Sequence, residues 1–323
     1  MKKLISYTFI FGLLLYVFLI SKLDFASCWE KLKQINLWLV LLATSLGLPE
    51  ILLKSMRLKS FVTKAKAHIN YKNALQAYLS GLPLASVTPG KLGDVSRIVL
   101  LSRYAKIPTS TSLAIHAADR IYDFASIVLL AVVGLVTFTN TFTQGGPAFA
   151  TIIGMMAGMF LILALLNPKW LKFILKPLVN SLLSKKLADD ISHHAKEFYA
   201  KLHTLIIPSF KIFGPFTLSF LAWETAILRS FILAMALGLP LSYLNFALLL
   251  PVMVVVELLP ISILGFGPRE AALFMLFTSN NIHREDLAVF SLLMAVTGPL
   301  VFALVGLPAA ALMLSKRSEH DPS

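Results

Sequence analysis

Between Ala74 and Ser102 an apolar stretch is interrupted by Pro89, Gly90 and Gly93 and by the charged residues Lys91, Asp94 and Arg97. Proline removes a backbone donor and clashes with the preceding helical turn, and glycine weakens a helix interior, so no continuous helix passes through this point. Charges at that density are costly in hydrocarbon, so the segment predicts a broken helix folded inside a bundle rather than a simple span.

The surroundings are a membrane protein's. The chain of 323 residues is 57% hydrophobic and only 14% charged, with a mean hydropathy of +0.79, and several of its apolar runs are long enough to cross a bilayer. The formal net charge of +13 raises nucleic acid as a partner, but most Lys and Arg fall between the apolar runs. That pattern points to anionic lipid headgroups and away from nucleic acid. One cysteine, Cys28, leaves neither a disulfide framework nor a cysteine metal site.

Met1-Lys2-Lys3 and the run to Ile20 have the charge and apolar core of a signal peptide. The length of the run, Asp24 and the spans that follow favour a retained first helix. A second span, Leu37 to Leu53, leads to Lys54, Arg57, Lys59, Lys64, Lys66 and Lys72 without an intervening acid; the positive-inside rule reads these as a cytoplasmic loop. The broken stretch then forms a re-entrant hairpin, with Arg103 and Lys106 at its cytoplasmic exit.

Ser112 to Phe138 crosses outward and Ala148 to Leu166 returns. Residues 167–211 follow as a basic cytoplasmic segment, in which Leu178, Leu182, Leu183, Leu187 and Ile191 have roughly helical spacing. That spacing fits an amphipathic helix on an anionic leaflet or a solvated linker helix. Phe213 to Leu239 crosses outward, Phe246 to Leu259 enters a second break, and Leu287 to Leu314 ends at Lys316-Arg317.

The expectation is an all-α polytopic membrane protein, one domain over 1–323, with six transmembrane helices and two re-entrant broken helices. Both termini are cytoplasmic, in the cell's inner (cytoplasmic) membrane. The second break carries Gly265, Gly267 and Pro268 before Arg269 and Glu270, in register with the first. Each break follows two spans and precedes one, in opposite orientations, which predicts inverted repeats over about 4–138 and 148–314.

The breaks also predict chemistry. Asp94 is placed to cap a half-helix from Val95, and Pro268 suits the first turn of another, so both helix N-termini would face a cavity and favour a phosphate. Arg97 and Arg269 would hold it by forked hydrogen bonds, with Lys91 as a point charge. His116, Asp119, Arg120 and Asp123 recur at helical spacing and form one polar face that must look into the bundle. Substrate binding is therefore assigned to Lys91, Asp94, Arg97, Asp119, Arg120, Asp123, Arg269 and Glu270. His116, Glu224, Arg229 and Glu257 are candidates for proton coupling or for a structural ion-pair network; Glu50 is read as structural, near a membrane boundary. No catalytic residue, metal site or cofactor is expected, since the sequence lacks a phosphate-binding glycine loop and a zinc motif.

Thr88-Pro-Gly-Lys-Leu-Gly-Asp94 with Arg97, Asp119-Arg120 with Asp123, and Leu259-Pro-Ile-Ser-Ile-Leu-Gly-Phe-Gly-Pro-Arg-Glu270 resemble the membrane domain of bacterial lysyl-phosphatidylglycerol synthase/flippase proteins and their standalone relatives. The resemblance covers nearly the whole chain and implies a lipid-translocating bundle with re-entrant helices. The full synthase carries a soluble aminoacyl-transferase domain after its membrane part, whereas this sequence ends soon after its last span, so aminoacylation is not expected. Lys91 departs from the arginine common at that position. The expected substrate is an anionic phospholipid or a polyprenyl-phosphate-linked lipid. The alternatives are a membrane enzyme modifying lipid phosphates and a non-transporting partner of a lipid-synthesising enzyme. A homodimer is compatible with the sequence, which carries no strong dimerisation motif.

Overall fold

The structure, a computed structural model, describes residues 14–137, 195–206, 213–257, 265–278 and 282–318, with backbone alone at 89–92, 195–196 and 313–318. The described residues are helical with no strand. Among the described residues, four helical stretches are long and apolar enough to cross a membrane: Leu37–Lys64, Thr109–Thr137, Phe213–Ala236 and Arg284–Leu312. Most of the first expected span and all of the one over 148–166 lie outside the described residues.

Local chemistry sets the helix ends. Helix α1 (Phe25–Lys33) starts at Asp24, whose carboxylate accepts from the Ala26 amide at 3.0 Å. The Ser27 hydroxyl is the main cause of holding that carboxyl below its usual pKa. Asn36 caps α2 (Leu37–Ser45) by accepting from Trp38 and Leu39, and α3 (Gly47–Lys64) continues almost without pause. Asn70 caps α4 (Tyr71–Val87) through the Asn73 amide at 2.8 Å.

The first break follows Val87. Residues Pro89–Arg97 form a 3₁₀ segment, and α5 (Ile98–Ala105) ends at Lys106 in the left-handed conformation, φ 52°. Both pieces pack back against α4, so the stretch is a hairpin. A Cβ at Gly93 would overlap the Leu84 carbonyl, so only glycine allows this close return. Asp94 lies inside the 3₁₀ segment and does not cap a helix at Val95. The α-helix begins at Ile98, preceded by Arg97 with no side-chain cap, because the 3₁₀ turn carries the chain past the expected cap position.

The long helix α6 (Thr109–Thr137) follows Pro108. Helix α7 (Ala195–Ile206) packs on it, burying Phe198, Leu202, Leu205 and Ile206. This end of the basic segment docks on protein; the stripe from Leu178 to Ile191, read as facing an anionic leaflet or solvent, lies outside the described residues. Helices α8 (Phe213–Ala236), α9 (Tyr243–Glu257), α10 (Pro268–Phe277) and α11 (Arg284–Ala295) follow. A π-turn at Val296–Leu300 joins α11 to α12 (Val301–Ser318).

Two apolar clusters divide the bundle. One gathers α3, α4, α5, α7 and the first half of α6, including Leu113 and Ile121; the other gathers α2, α8 to α11 and the second half of α6, including Ile127 and Leu135. Small residues let backbones meet in the first cluster, as with Ala74, Ala77, Ser80 and Gly81 on α4 and Ala114 and Ala118 on α6. In lipid, such contact supplies association that solvent exclusion cannot. Trp38, Leu37, Val136 and Leu304 remain exposed, as lipid-facing residues must.

Candidate functional site

Where α6 passes from one apolar cluster to the other it carries Asp119 and Asp123, and the bundle's buried charges collect there. A cavity of about 160 Å³ opens beside them, room for several waters or one small polar group. Its walls come from α3, α4, the first break, α6, α8, α9, the second break and the π-turn.

Arg57 and Arg97 hold the α6 face from behind. Arg57 donates from Nε to Asp119 Oδ1 at 2.6 Å, and from Nη1 to Asp123 Oδ1 at 2.8 Å and Ser219 Oγ at 2.7 Å. Arg97 donates from Nη2 to Asp119 Oδ2 at 2.9 Å and from Nε to His116 Nδ1 at 2.9 Å, and pairs with Asp94 at 3.1 Å. Accepting from Arg97 requires a deprotonated Nδ1, so His116 here is a neutral ring. Both guanidinium groups are fully buried. Each is matched by carboxylates, as a charge in this setting must be.

Arg120 completes the network from the cavity side. It reaches Asp119 at 3.1 Å, Asp94 at 3.4 Å and Asp123 at 3.7 Å, and its side chain stays 34% exposed. It is thus the most accessible guanidinium of the group. Arg97, expected to face a ligand, stands one carboxylate behind the wall, since Asp94 lines the cavity and Arg97 does not.

The second break supplies the opposite wall. Arg269 binds Glu257 through two nitrogens, at 2.9 and 3.2 Å, and donates to the Ser291 carbonyl at 3.2 Å. Gly265 lies between them at φ 81°; a Cβ there would stand 2.6 Å from Glu257 Cγ and 2.7 Å from Arg269 Nη2. Pro268 occupies the first turn of α10 as expected. The helix N-terminus is nevertheless not open to an anion, because Glu270 folds back to accept from the Gly267 amide at 2.5 Å and also bonds the Ser291 hydroxyl. Its own carboxylate fills the role that a phosphate was expected to take.

Of the predicted site residues, Asp94, Arg120, Asp123, Arg229, Glu257, Gly265 and Arg269 line the cavity. Arg97, Asp119 and His116 form the layer behind it. Glu224 is apart, accepting from the Tyr243 hydroxyl at 3.4 Å. Pro89, Gly90 and Lys91 are described by their backbone alone. No cluster able to hold a metal occurs among the described residues.

Three residues read otherwise in the sequence belong here. Lys54 and Arg57 are not loop charges: they lie within the long Leu37–Lys64 helix and are buried. Glu50 is not a boundary residue either, since it lines the cavity, pairing with Lys54 at 2.8 Å and Arg229 at 3.5 Å. Their spacing of four and three was the available signal, the same one that identified the α6 face. Tyr78 and Trp223 also line the cavity. Arg97 lies over the Tyr78 ring at 5.1 Å and Lys54 over Trp223 at 5.2 Å, contacts that favour cations once desolvated.

Long apolar helices enclosing a charge-paired internal cavity define a multi-pass membrane protein with a polar site in its interior. The family described as lysylphosphatidylglycerol synthase TM region matches residues 4–306, and the chain belongs to that family. That membership supports a membrane lipid-related function. No curated protein and no solved structure matches the chain.

Proposed function

We propose that this protein is a lipid flippase, moving an anionic phospholipid or a polyprenyl-phosphate-linked lipid between leaflets without changing it chemically. The observation that carries this reading is the cavity itself. Both breaks reach it, Asp94 from the first and Arg269 from the second, and its charged walls are buried inside helices fit to span a membrane. A lipid headgroup crossing a bilayer needs such an internal polar station, because each charge is costly in hydrocarbon.

The reading carries six spans and two re-entrant hairpins, with both termini on the cytoplasmic side of the cytoplasmic membrane. Helix pairing supports inverted repeats: α4 of the first hairpin packs on α12, α9 of the second packs on α6, and α3 packs on α8. Exchanging the two proposed repeats maps the first pair onto the second and the third onto itself. The membrane lipid is the principal partner, and a second copy or a lipid-synthesising enzyme fits the same scheme.

The test is leaflet exchange of fluorescent phosphatidylglycerol and of a fluorescent polyprenyl-phosphate lipid in vesicles holding the purified protein. Exchange above protein-free vesicles, with the lipid's mass unchanged, supports transport. No exchange of either lipid sinks the proposal, and a changed lipid mass moves the protein to the enzymes.

A further inference from the structure

The arginines at the cavity and in the layer behind it are not equally neutralised. Arg57, Arg97, Arg120 and Arg269 each meet at least two hydrogen-bonding or ionic partners. Arg229 differs: its one ion pair among the described residues is with Glu50 Oε2, 3.5 Å from Nη2. Its Nε is buried with no hydrogen-bond partner among them, as is one nitrogen each of Arg57, Arg97 and Arg120, so the ion pairing is what sets Arg229 apart. Glu50 is shared, because its other oxygen accepts from Lys54 Nζ at 2.8 Å. One carboxylate therefore faces two cations.

The site around Arg229 is built rather than incidental. Arg229 is only 8% exposed and lines the cavity. Its guanidinium lies over the Phe302 ring at 5.4 Å, which restrains its plane. A Cβ at Gly298 in the π-turn would stand 2.7 Å from Arg229 Nη1, so glycine leaves the space that the fork occupies. A planar fork with one unsatisfied donor beside a second cation suits a tetrahedral oxyanion.

We infer that Arg229, with Lys54 beside it, is the seat of a phosphate group, and that Glu50 holds the two cations until that phosphate arrives. This rests on the lipid-transport reading for its substrate, and moves the anion site from the breaks to α3 and α8. A phosphate bound there displaces one carboxylate rather than dismantling the Arg57–Asp119–Arg97 network.

The test is calorimetric titration of detergent-purified protein with inorganic phosphate and, separately, with dihexanoyl-phosphatidylglycerol. Arg229→Gln should weaken binding about tenfold or more, the size of a lost charge-assisted pair. Glu50→Gln should tighten it several-fold, since the competing carboxylate is gone, and a damaged fold would not produce that gain. Binding of the lipid alone makes the ligand a headgroup, and binding of inorganic phosphate at equal strength makes it the free ion; both support the seat. No binding of either ligand overturns the inference, as does unchanged affinity in Arg229→Gln. Leaflet exchange on the same preparations separates the two readings. Exchange in wild type with unaltered binding in Arg229→Gln sinks the phosphate seat alone; Arg229-dependent binding without exchange sinks transport alone.

Discussion

Arg57 on α3 and Asp119 on α6 are joined by a 2.6 Å bond between side chains with no exposed surface. Arg57 also takes Asp123 and Ser219, so one guanidinium ties α3, α6 and α8 together. Removing one member of a buried pair strands the other's charge, a loss of roughly 3–5 kcal/mol. Arg57→Ala should therefore lower the thermal midpoint of the purified protein sharply. Arg57→Lys should recover only part of the loss, because an ammonium lacks the fork that spans Asp119 and Asp123. A midpoint equal to wild type in Arg57→Ala would show that the tie is not structural.

Arg97 and Arg120 should separate in the same measurements. Arg97 is fully enclosed by Asp94, Asp119 and His116, so Arg97→Gln should destabilise by about 3 kcal/mol or more, as for other stranded buried charges. Arg120 keeps a third of its side chain exposed to the cavity, so Arg120→Gln should cost less stability and reduce leaflet exchange. The reverse order of thermal midpoints would overturn this division.

The two breaks were legible because proline and glycine act on the backbone locally: Pro89 and Gly93, and Gly265 to Pro268, stand at real interruptions. The polar face of α6 was legible because spacing of three and four places side chains together whatever the partners are. Partners were not legible. Lys54 and Arg57 read as loop charges because the positive-inside rule weighs charge by distance along the chain, whereas their carboxylates sit on α6 and on α3 itself. Arg97 read as a ligand residue because nothing local reveals that Asp119, a helix away, already occupies it. Glu270 was legible as part of the second break, but its partners, the Gly267 amide on one oxygen and the Ser291 hydroxyl on the other, were not.

Helix α7 should depend on one carboxylate. Glu197 accepts from the hydroxyls of Ser110 at 3.1 Å and Thr111 at 3.2 Å, at the start of α6, while Phe198 and Leu202 supply apolar contact. Glu197→Ala removes two charge-assisted hydrogen bonds, each contributing about 1.5–3 kcal/mol net, without touching the cavity. Amide exchange over 195–206 should accelerate while leaflet exchange stays at the wild-type rate. Unchanged protection would mean that the apolar face alone docks the helix.

Gly265 gives the most local test of the second break. Its φ of 81° costs an L-residue about 1–2 kcal/mol, and the added methyl group would press on both Glu257 and Arg269. Gly265→Ala should therefore combine backbone strain with displacement of the Glu257–Arg269 pair. Serine at 265 should behave like alanine, while D-alanine introduced by semisynthesis should relieve the strain, because its preferred φ is positive. The measurement is the thermal midpoint together with leaflet exchange: both should fall in Gly265→Ala, and the midpoint should recover with the D-residue. Equal loss in the two variants would overturn both backbone strain and crowding against Glu257 and Arg269 as its cause, because the methyl group of the D-residue takes the place of the other α-hydrogen.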